Sequence, residues 1–446
     1  MRRTHLAFGF VLIGLWAVVL ESMAVTVALP AIASDFAIPA STATWVVGMS
    51  QFIIVALLLP MAALGEAIGI RRLYVIGLLV FAVMSVACIL TPSFAALVIA
   101  RAFQAVGTAA VMSINFALAR VLYPSKSLGT AIGIMATSVA IATTAGPALA
   151  GVLLEISGWR AVFLLMLVCS VIGGIGAAIL LPPNQPSNRR YDLQDAVLVA
   201  LTLVCVLYVL NGLAAGWSRG MIAAAAIGAI AGFVRLTRVS RGKVGAVFPL
   251  DLLALPVFNL SVVAAIFAFA AQSVGFIFLP FYLVLDAGLS PMDMAIVLSV
   301  WPFSTALLAP VLGWMSDRLP AGPIGAVGLF VFAAGFVLLA LMPPDVGAAG
   351  VALRLAACGI GFAAFQTPNN RLVMLSAPPD RSGAASGVIS LARQFGRALG
   401  TAIAAVLLAA APAGATTAMT VAAGLALVGA TAAVLRARAI RDRTAH

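Results

Sequence analysis

The sequence predicts an all-α integral membrane protein with fourteen transmembrane helices and both termini in the cytoplasm. Of its 446 residues, 64% are hydrophobic and 9% are charged, so the chain has too little polar surface to cover a soluble globule of this size. Its apolar segments are continuous and do not alternate with polar residues, which favours helices over the strands of a membrane barrel.

The basic residues determine the predicted orientation. Nineteen of the 25 arginine and lysine residues fall in eight short stretches, which lie at the termini or in every second gap between apolar segments. By the positive-inside rule these gaps are cytoplasmic, so the number of crossings is even. Orientation in a bilayer therefore explains the net charge of +12, and we expect no nucleic-acid partner. The stretches contain Arg2 and Arg3, Arg71 and Arg72, Arg120 and Lys126, Arg189 and Arg190, Arg235 to Lys243, Arg318, Arg371 and Arg381, and Arg436 to Arg443.

A bilayer core about 30 Å thick is crossed by roughly 20 helical residues. On this basis the predicted spans are 7–29, 43–64, 73–92, 95–118, 129–154, 160–182, 195–214, 220–236, 257–284, 292–315, 324–342, 348–374, 383–410 and 416–436. Hydrophilic breaks after the sixth and eighth spans divide the chain into six, two and six helices. The predicted units are a bundle at 1–182, linkers with two inserted helices at 183–256, a second bundle at 257–437 and a basic tail at 438–446.

An internal repeat supports this division. Glu66 in MAALGEAIGIRR corresponds to Asp317 in PVLGWMSDRLPAG, 251 positions later. Arg101 in LVIARAFQAVGTAA corresponds to Arg354 in VALRLAACGIGFAA, 253 positions later. Two pairs with nearly the same offset indicate duplication, and repeated halves in a membrane protein are typical of alternating access around a site between them.

One acid and one base are predicted to meet inside the membrane. Counted along their helices, Glu21 and Arg101 both lie roughly 21 Å from the cytoplasmic face. An isolated carboxylate at that depth is driven towards its neutral form, whereas arginine stays charged. We therefore predict that Glu21 is a proton-coupling acid and Arg101 its partner. The alternatives are a static buried ion pair and direct binding of a cationic substrate by Glu21.

Several motifs occur in an order and spacing that resemble a known family. They are LESMAVTVALPAIA, GEAIGIRR, ARAFQAVG, TTAGPALAG and FQTPNNRLVMLSAPPDRSGAASG. Together they resemble the major facilitator superfamily, and within it the fourteen-helix drug:proton antiporter branch. The chain departs from that pattern where Glu21 and Glu66 replace aspartates and where Ala62 and Ala142 replace glycines. The resemblance implies two six-helix bundles, proton-coupled export of small amphipathic compounds, a bacterial cytoplasmic membrane location and a functional monomer.

The loop motif, with Glu66, Gly69 and Arg71, predicts a cytoplasmic gate. We expect Glu66 to face the positive N-terminal end of the thirteenth helix and Arg71 to contact carboxylates or phospholipid. Asp317 with Arg318 is the repeated counterpart, and its gate is expected to be weaker because LPAGP follows it instead of a basic pair. The alternative is that these charges only set topology.

The fifth-helix motif supplies Gly146, Pro147 and Gly151. Proline removes a backbone donor and the small neighbours permit close approach, so we expect a kinked, tightly packed helix that seals one end of a cavity. Ordinary small-residue packing is the alternative.

A central substrate pocket is predicted from polar and aromatic residues inside the helices expected to flank it. Because no second acid lies deep in a helix, divalent cations are not expected; monovalent cations, neutral drugs and anions stay open. The extra arginines, Arg393 and Arg397, favour a partly anionic or zwitterionic substrate. The predicted pocket residues are Trp16, Gln51, Gln104, Asn115, Gln272, Phe276, Trp301, Phe365, Gln366 and Arg393.

Other functions remain as alternatives. A proton-coupled importer shares the predicted fold, and a non-transporting membrane sensor or assembly component would not need Glu21. No glycine-rich phosphate loop and no nucleophile with a base are present in the sequence, which disfavours an ATP-driven pump and an enzyme. We predict no cofactor and no metal site.

Overall fold

The computed structural model describes residues 2–43, 45–183, 191–215, 217–241, 243, 245–281, 283, 291–343, 346–409 and 415–444. A long helix forms over each of the fourteen predicted spans. These helices are α1 Arg2–Asp35, α2 Trp45–Ile68, α3 Ile70–Ile89, α4 Phe94–Leu122, α5 Leu128–Ser157, α6 Arg160–Leu180, α7 Leu193–Ala215, α8 Arg219–Ser240, α9 Pro256–Phe281, α10 Pro291–Arg318, α11 Ala321–Ala340, α12 Ala348–Ser376, α13 Ser382–Ala409 and α14 Ala415–Thr444. Short helical segments at Ala40–Ala43, Leu250–Leu253 and Pro379–Arg381 lie between them.

Thirteen of these helices are long and apolar enough to cross a membrane, within the residues described. The long helix outside that set is α13, whose sequence includes Arg393, Gln394 and Arg397. On the outer surface the apolar side chains of Ile227 and Ile230 are 68% and 67% exposed, as expected for a surface that lipid covers. The predicted multi-pass, all-helical membrane protein is therefore confirmed.

Helices α1–α6 form one bundle and α9–α14 the other, and the two bundles meet chiefly where α5 packs on α10 and where α13 packs on α2 and α4. The inserted helix α7 lies against α2 and α13, and α8 packs on α7. Small residues allow the helices to approach closely. A Cβ added to Gly173 would lie 2.6 Å from the backbone nitrogen of Gly14, and one added to Gly107 would lie 2.6 Å from the Gly77 carbonyl oxygen. Such contacts hold membrane helices together by close backbone packing.

The first helix begins and the last helix ends at one end of the bundle, which we call the terminal end. His5 Nδ1 lies 3.0 Å from the Tyr123 hydroxyl, just after α4. Arg371, near the end of α12, donates to the Ser125 carbonyl in the same loop at 3.2 Å. The start of α11 lies beside Ala437 of α14.

Two arginines assigned to basic loops are buried instead. Arg381 is 1% exposed and Arg436 is fully buried. Arg436 donates to the Asn369 side chain and, at 3.1 Å, to the Ser261 hydroxyl, so it links α9, α12 and α14. Both arginines lie at the terminal end, as their place in the sequence predicts, but their long side chains turn inward to buried acceptors and do not remain in solvated loops.

Candidate transport site and gate

Glu21 and Arg101 form an ion pair inside the N-terminal half. Arg101 Nη1 lies 2.7 Å from Glu21 Oε1, and both side chains are 1% exposed. The second carboxylate oxygen, Oε2, accepts a hydrogen bond from the Thr108 hydroxyl at 2.6 Å. Arg101 and Thr108 lie seven residues apart on α4, which places both on the face towards α1. The structure thus brings the two predicted partners together.

Arg101 has further acceptors besides the carboxylate. Its Nη1 donates to Gln104 Oε1 at 2.5 Å, and its Nε donates to the Val46 carbonyl oxygen at 3.4 Å. Gln104 in turn donates to the Ser85 hydroxyl at 2.7 Å. The guanidinium therefore keeps hydrogen-bond partners when the charge on Glu21 changes. A buried cation left without acceptors would be costly, so this network makes reversible protonation of the acid feasible.

A cavity of about 560 Å³ lies between the two halves, a volume that suits a drug-sized ligand. It is lined by α1, α2, α4 and α5 from one half and by α9, α10, α12 and α13 from the other. Val18 and Val19 of α1 line this cavity, whereas Glu21 on the same helix turns towards α4 and does not. The acid is therefore separate from the cavity lining in this conformation.

The predicted pocket residues divide into two groups. Seven of them line the cavity: Gln51, Asn115, Gln272, Phe276, Trp301, Gln366 and Arg393. The other three do not, and this part of the prediction was wrong. Trp16 donates to the Ser138 hydroxyl at 2.6 Å, Gln104 belongs to the Arg101 network, and Phe365 is fully buried. Sequence shows that a residue is in a helix, but the facing direction depends on how the helices are rotated in the bundle.

Glu66 joins the two halves at the terminal end. Its Oε1 accepts a hydrogen bond from the Ala384 backbone N–H at 2.7 Å, in the first turn of α13. Its Oε2 lies 2.8 Å from Arg381 Nη1, in a pair whose side chains are 5% and 2% exposed. Arg381 also pairs with Asp251, at 3.0 Å, just before α9. The carboxylate thus caps a helix of the opposite half, where the helix dipole favours negative charge.

The other residues of the loop motif have local roles. Gly69 is the single residue between α2 and α3 and has φ 102°, a conformation that glycine adopts without strain. Arg71 donates to the Ala178 carbonyl oxygen near the end of α6. The predicted contact of Arg71 with carboxylates or phospholipid stays a prediction.

Asp317, in the second half, caps a helix of the first half, as Glu66 in the first half caps a helix of the second. Its carboxylate accepts from the backbone N–H groups of Gly129 and Thr130, both at 2.8 Å, at the start of α5. It also pairs with Arg371 at 2.8 Å. Asp317 therefore makes the same two kinds of contact as Glu66, a helix cap and an arginine pair, and the expectation of a weaker gate stays a prediction. Arg318 stacks on the Trp314 ring at 3.9 Å and is not the partner of Asp317.

The arginines of the gate follow the internal repeat, and sequence reasoning missed them. Arg120 and Arg371 are 251 positions apart, as Glu66 and Asp317 are. Arg120 donates to the Ala377 carbonyl at 3.0 Å across the interface, and Arg371 donates to the Ser125 carbonyl in the reverse direction. Applying the known offset to every charged residue would have found this pair.

Helices α5 and α10 close the same end by direct backbone contact. A Cβ added to Gly129 would lie 2.6 Å from the Gly313 carbonyl oxygen, and one added to Gly133 would collide with the Ala309 carbonyl oxygen. The predicted tight packing at Gly151 was wrong, since a Cβ there would meet no atom within 4 Å. The sealing contacts lie nearer the start of α5.

The rest of the fifth-helix motif gives less information. Gly146 is buried, and α5 continues as a helix through it to Ser157. The side chain of Pro147 lies outside the part of the chain that is described.

Comparison with known proteins establishes the family. Residues 11–401 match the Major Facilitator Superfamily. The chain belongs to this superfamily. An uncharacterized transporter, YebQ of Escherichia coli (strain K12), is 38% identical over 400 residues, which cover 89% of this chain and 88% of YebQ. Multidrug resistance protein Stp of Mycobacterium tuberculosis (strain ATCC 25618 / H37Rv) is 30% identical, over 89% of this chain and 74% of Stp.

A solved structure shows the shared major facilitator fold. The human organic anion transporter MFSD10 (TETRAN) matches with a TM-score of 0.68 over 97% of this chain and 99% of its own, at 17% identity. The resemblance to the superfamily inferred from the motifs is thus confirmed. Members of the Major Facilitator Superfamily are transporters, so the cavity between the halves is the natural place for a small-molecule substrate.

Proposed function

We propose that the protein is a proton-coupled secondary transporter that exports small amphipathic compounds in exchange for protons. In this proposal it works as a monomer in a bacterial cytoplasmic membrane, with the terminal end facing the cytoplasm. Helix α13 also crosses the membrane, which brings the number of crossings to fourteen. The positive-inside rule supports that orientation. The relationship to Stp, which is named a multidrug resistance protein, supports export of drug-like compounds.

The observation that carries the proposal is the buried site formed by Glu21, Arg101 and Thr108. As a carboxylate, Glu21 is stabilised by the guanidinium at 2.7 Å and the hydroxyl at 2.6 Å. When a proton binds, Arg101 retains Gln104 and the Val46 carbonyl. Each protonation state therefore has its own set of hydrogen bonds. A small movement of α1 against α4 is enough to change which state is favoured.

Helix α4 connects the proton site with the other parts of the transport machinery. It carries Arg101 and Thr108 at the ion pair, then Asn115 and Phe116 at the cavity, and finally Arg120 at the interface between the halves. A tilt of this one helix moves all three regions together. The physical coupling between proton and substrate is thus assigned to α4, and the two need not compete for one residue.

The conformation described here is the one we assign to the state closed to the cytoplasm. Glu66 and Asp317 each hold a helix of the opposite half, and α5 and α10 are in backbone contact at the same end. Opening to the cytoplasm requires both carboxylates to leave their helix caps. Substrate then enters the cavity from the inner side, and reclosure returns the protein to the present state.

Glu21→Gln tests the proposal in proteoliposomes with an acidic lumen and a clamped membrane potential. The probes are two permanently charged amphipathic compounds, 1-naphthalenesulfonate and (1-naphthylmethyl)trimethylammonium, with a lumenal pH dye reporting proton movement. The native protein should accumulate at least one probe in the lumen while protons leave. Glu21→Gln should abolish this accumulation and leave the elution profile and thermal stability unchanged. Glu155→Gln, which alters an exposed carboxylate, should transport normally.

The direction of movement distinguishes the mechanisms whichever way the protein inserts. Antiport drives the probe to the acidic side, whereas symport, the importer alternative, drives it to the alkaline side. Uphill transport by Glu21→Gln equal to that of the native protein would reject the proton-coupling role. Probe accumulation that continues unchanged after the pH gradient has been collapsed would reject proton coupling altogether.

A further inference from the structure

Two arginines on α13 face the substrate cavity. Arg393 and Arg397 are four residues apart, so they lie on the same face of the helix, and both line the cavity. The Arg393 guanidinium lies 5.5 Å from the Phe116 ring of one half and 5.6 Å from the Phe269 ring of the other. The Arg397 guanidinium lies 5.8 Å from the same Phe269 ring. Two positive charges are therefore held close together where the two halves meet.

Nothing in the described cavity neutralises these charges. Its lining includes two arginines and neither an aspartate nor a glutamate among the residues described. Arg393 is 8% exposed, and its buried Nε has no hydrogen-bond partner. Glu21, the acid predicted deep within the membrane, already pairs with Arg101 outside the cavity lining. Arginine stays protonated even when buried, so the charge cannot be relieved by losing a proton.

Other arginines within the membrane helices are satisfied by the protein itself. Arg101 has a carboxylate, and Arg436 has the Asn369 and Ser261 side chains. Arg354, the repeat counterpart of Arg101, donates to the Leu338 carbonyl at 3.0 Å and the Gly350 carbonyl at 2.8 Å. A structural arginine in this fold thus finds oxygen acceptors. Within the described part of the chain, Arg393 and Arg397 contact aromatic rings instead, and those rings leave the N–H groups available to bind another molecule.

We propose that the cavity binds a small amphipathic organic anion, whose charged group pairs with Arg393 and Arg397 while its apolar body lies against the cavity wall. A carboxylate, sulfonate or phosphonate matches the planar fork of donors on a guanidinium. Phe276 and Trp301 supply aromatic surface for the rest of the molecule. As a statement about transported cargo, this inference rests on the proposed transport function. As a statement about binding, it stands alone.

The anion site and the cytoplasmic gate share one helix. Glu66 binds the backbone of α13 at Ala384, nine residues before Arg393, which is about 14 Å along the helix. An anion that pulls Arg393 towards the cavity also acts on the helix start that Glu66 holds. Occupancy of the cavity is thereby able to influence the gate without direct contact between the two sites.

The test compares three naphthalene compounds of similar size and different charge. These are 1-naphthalenesulfonate, the neutral isostere 1-naphthalenesulfonamide and (1-naphthylmethyl)trimethylammonium, and binding to the purified full-length protein is measured by equilibrium dialysis. The native protein should bind the sulfonate at least tenfold more tightly than the sulfonamide, with the cation weakest. Arg393→Gln should reduce sulfonate affinity at least tenfold and leave sulfonamide affinity unchanged. Arg393→Lys should retain part of the preference, because it keeps the charge without the bidentate fork.

Arg354→Gln is the matched control, since it removes an arginine from a membrane helix away from the cavity. It should bind all three compounds as the native protein does. Equal affinities of the native protein for the sulfonate and the sulfonamide, or no measurable sulfonate binding, would overturn the inference. So would undiminished sulfonate affinity in the Arg393→Gln, Arg397→Gln double variant. The two proposals can fail separately, because binding is measured without a proton gradient. Proton-driven transport of the cation but not of the sulfonate would reject this inference and preserve the proposed function. Arginine-dependent binding of the sulfonate without proton-driven transport would support this inference and reject the proposed function.

Discussion

Glu66→Gln is expected to open the terminal end of the protein. The carboxylate accepts a hydrogen bond from the Ala384 N–H at 2.7 Å and pairs with Arg381 at 2.8 Å. Glutamine preserves the shape and an acceptor for the N–H, but it removes the charge that faces the guanidinium. Arg381 is not stranded by this change, because Asp251 still pairs with it at 3.0 Å. The free-energy cost to the closed state is therefore smaller than the cost of leaving a buried charge with no partner.

The size of the effect follows from these contacts. A hydrogen bond to a charged group contributes about 1.5–3 kcal/mol, and weakening the helix cap adds about 1 kcal/mol. The closed state should therefore lose roughly 2–4 kcal/mol relative to the open one, which is about 30-fold to several-hundred-fold in their ratio. A protein that is about 99% closed would become about three-quarters closed at the lower figure.

Distances between spin labels measure this shift. Labels at Lys126→Cys and Leu319→Cys, both exposed at the terminal end on opposite halves, are introduced after the four native cysteines have been replaced by alanine. Glu66→Gln should add a longer-distance population, whereas Glu155→Gln should leave the distribution as in the parent. An unchanged distribution in Glu66→Gln would show that this pair does not hold the halves together.

Two further substitutions have definite expected outcomes. Gly133→Val should force α5 and α10 apart, which costs the closed state about 1–3 kcal/mol and slows probe transport at least about fivefold. Gly151→Val is the control, because a Cβ there meets no atom within 4 Å, and it should transport normally. Equal transport rates for the two variants would contradict the role of the α5–α10 contact. Thr108→Val removes the hydroxyl that donates a hydrogen bond to the Glu21 carboxylate, so proton-driven probe accumulation should fall at least about threefold. Thr144→Val, whose exposed hydroxyl donates to a carbonyl of its own helix, should accumulate the probe as the native protein does, and undiminished accumulation by Thr108→Val would refute the reasoning.

The superfamily was accessible from sequence through the order and spacing of its motifs. The fourteen long helices and the pairing of Glu21 with Arg101 were accessible because each depends on distance along a helix or on membrane depth, and the bilayer makes both nearly one-dimensional. The loop motif and the helix dipole likewise predicted that Glu66 faces the start of α13, and its carboxylate accepts a hydrogen bond from the Ala384 N–H there.

The facing direction of side chains was not accessible in the same way. Trp16, Gln104 and Phe365 were assigned to the cavity, yet they lie elsewhere. Arg381 was counted as a loop charge, yet it is buried against Glu66 and Asp251. In a continuously apolar helix every face looks alike to hydropathy, so rotation about the helix axis leaves no periodic signal.

The sequence alone determined the family, through the order of its motifs. It also determined the long helices and the meeting of Glu21 with Arg101, because membrane thickness and position along a helix act on residues in chain order. Only the tertiary structure decided that Glu21 is enclosed away from the cavity while Arg393 and Arg397 face it. That division depends on contacts between helices far apart in sequence, where close packing of small residues sets the rotation of each helix.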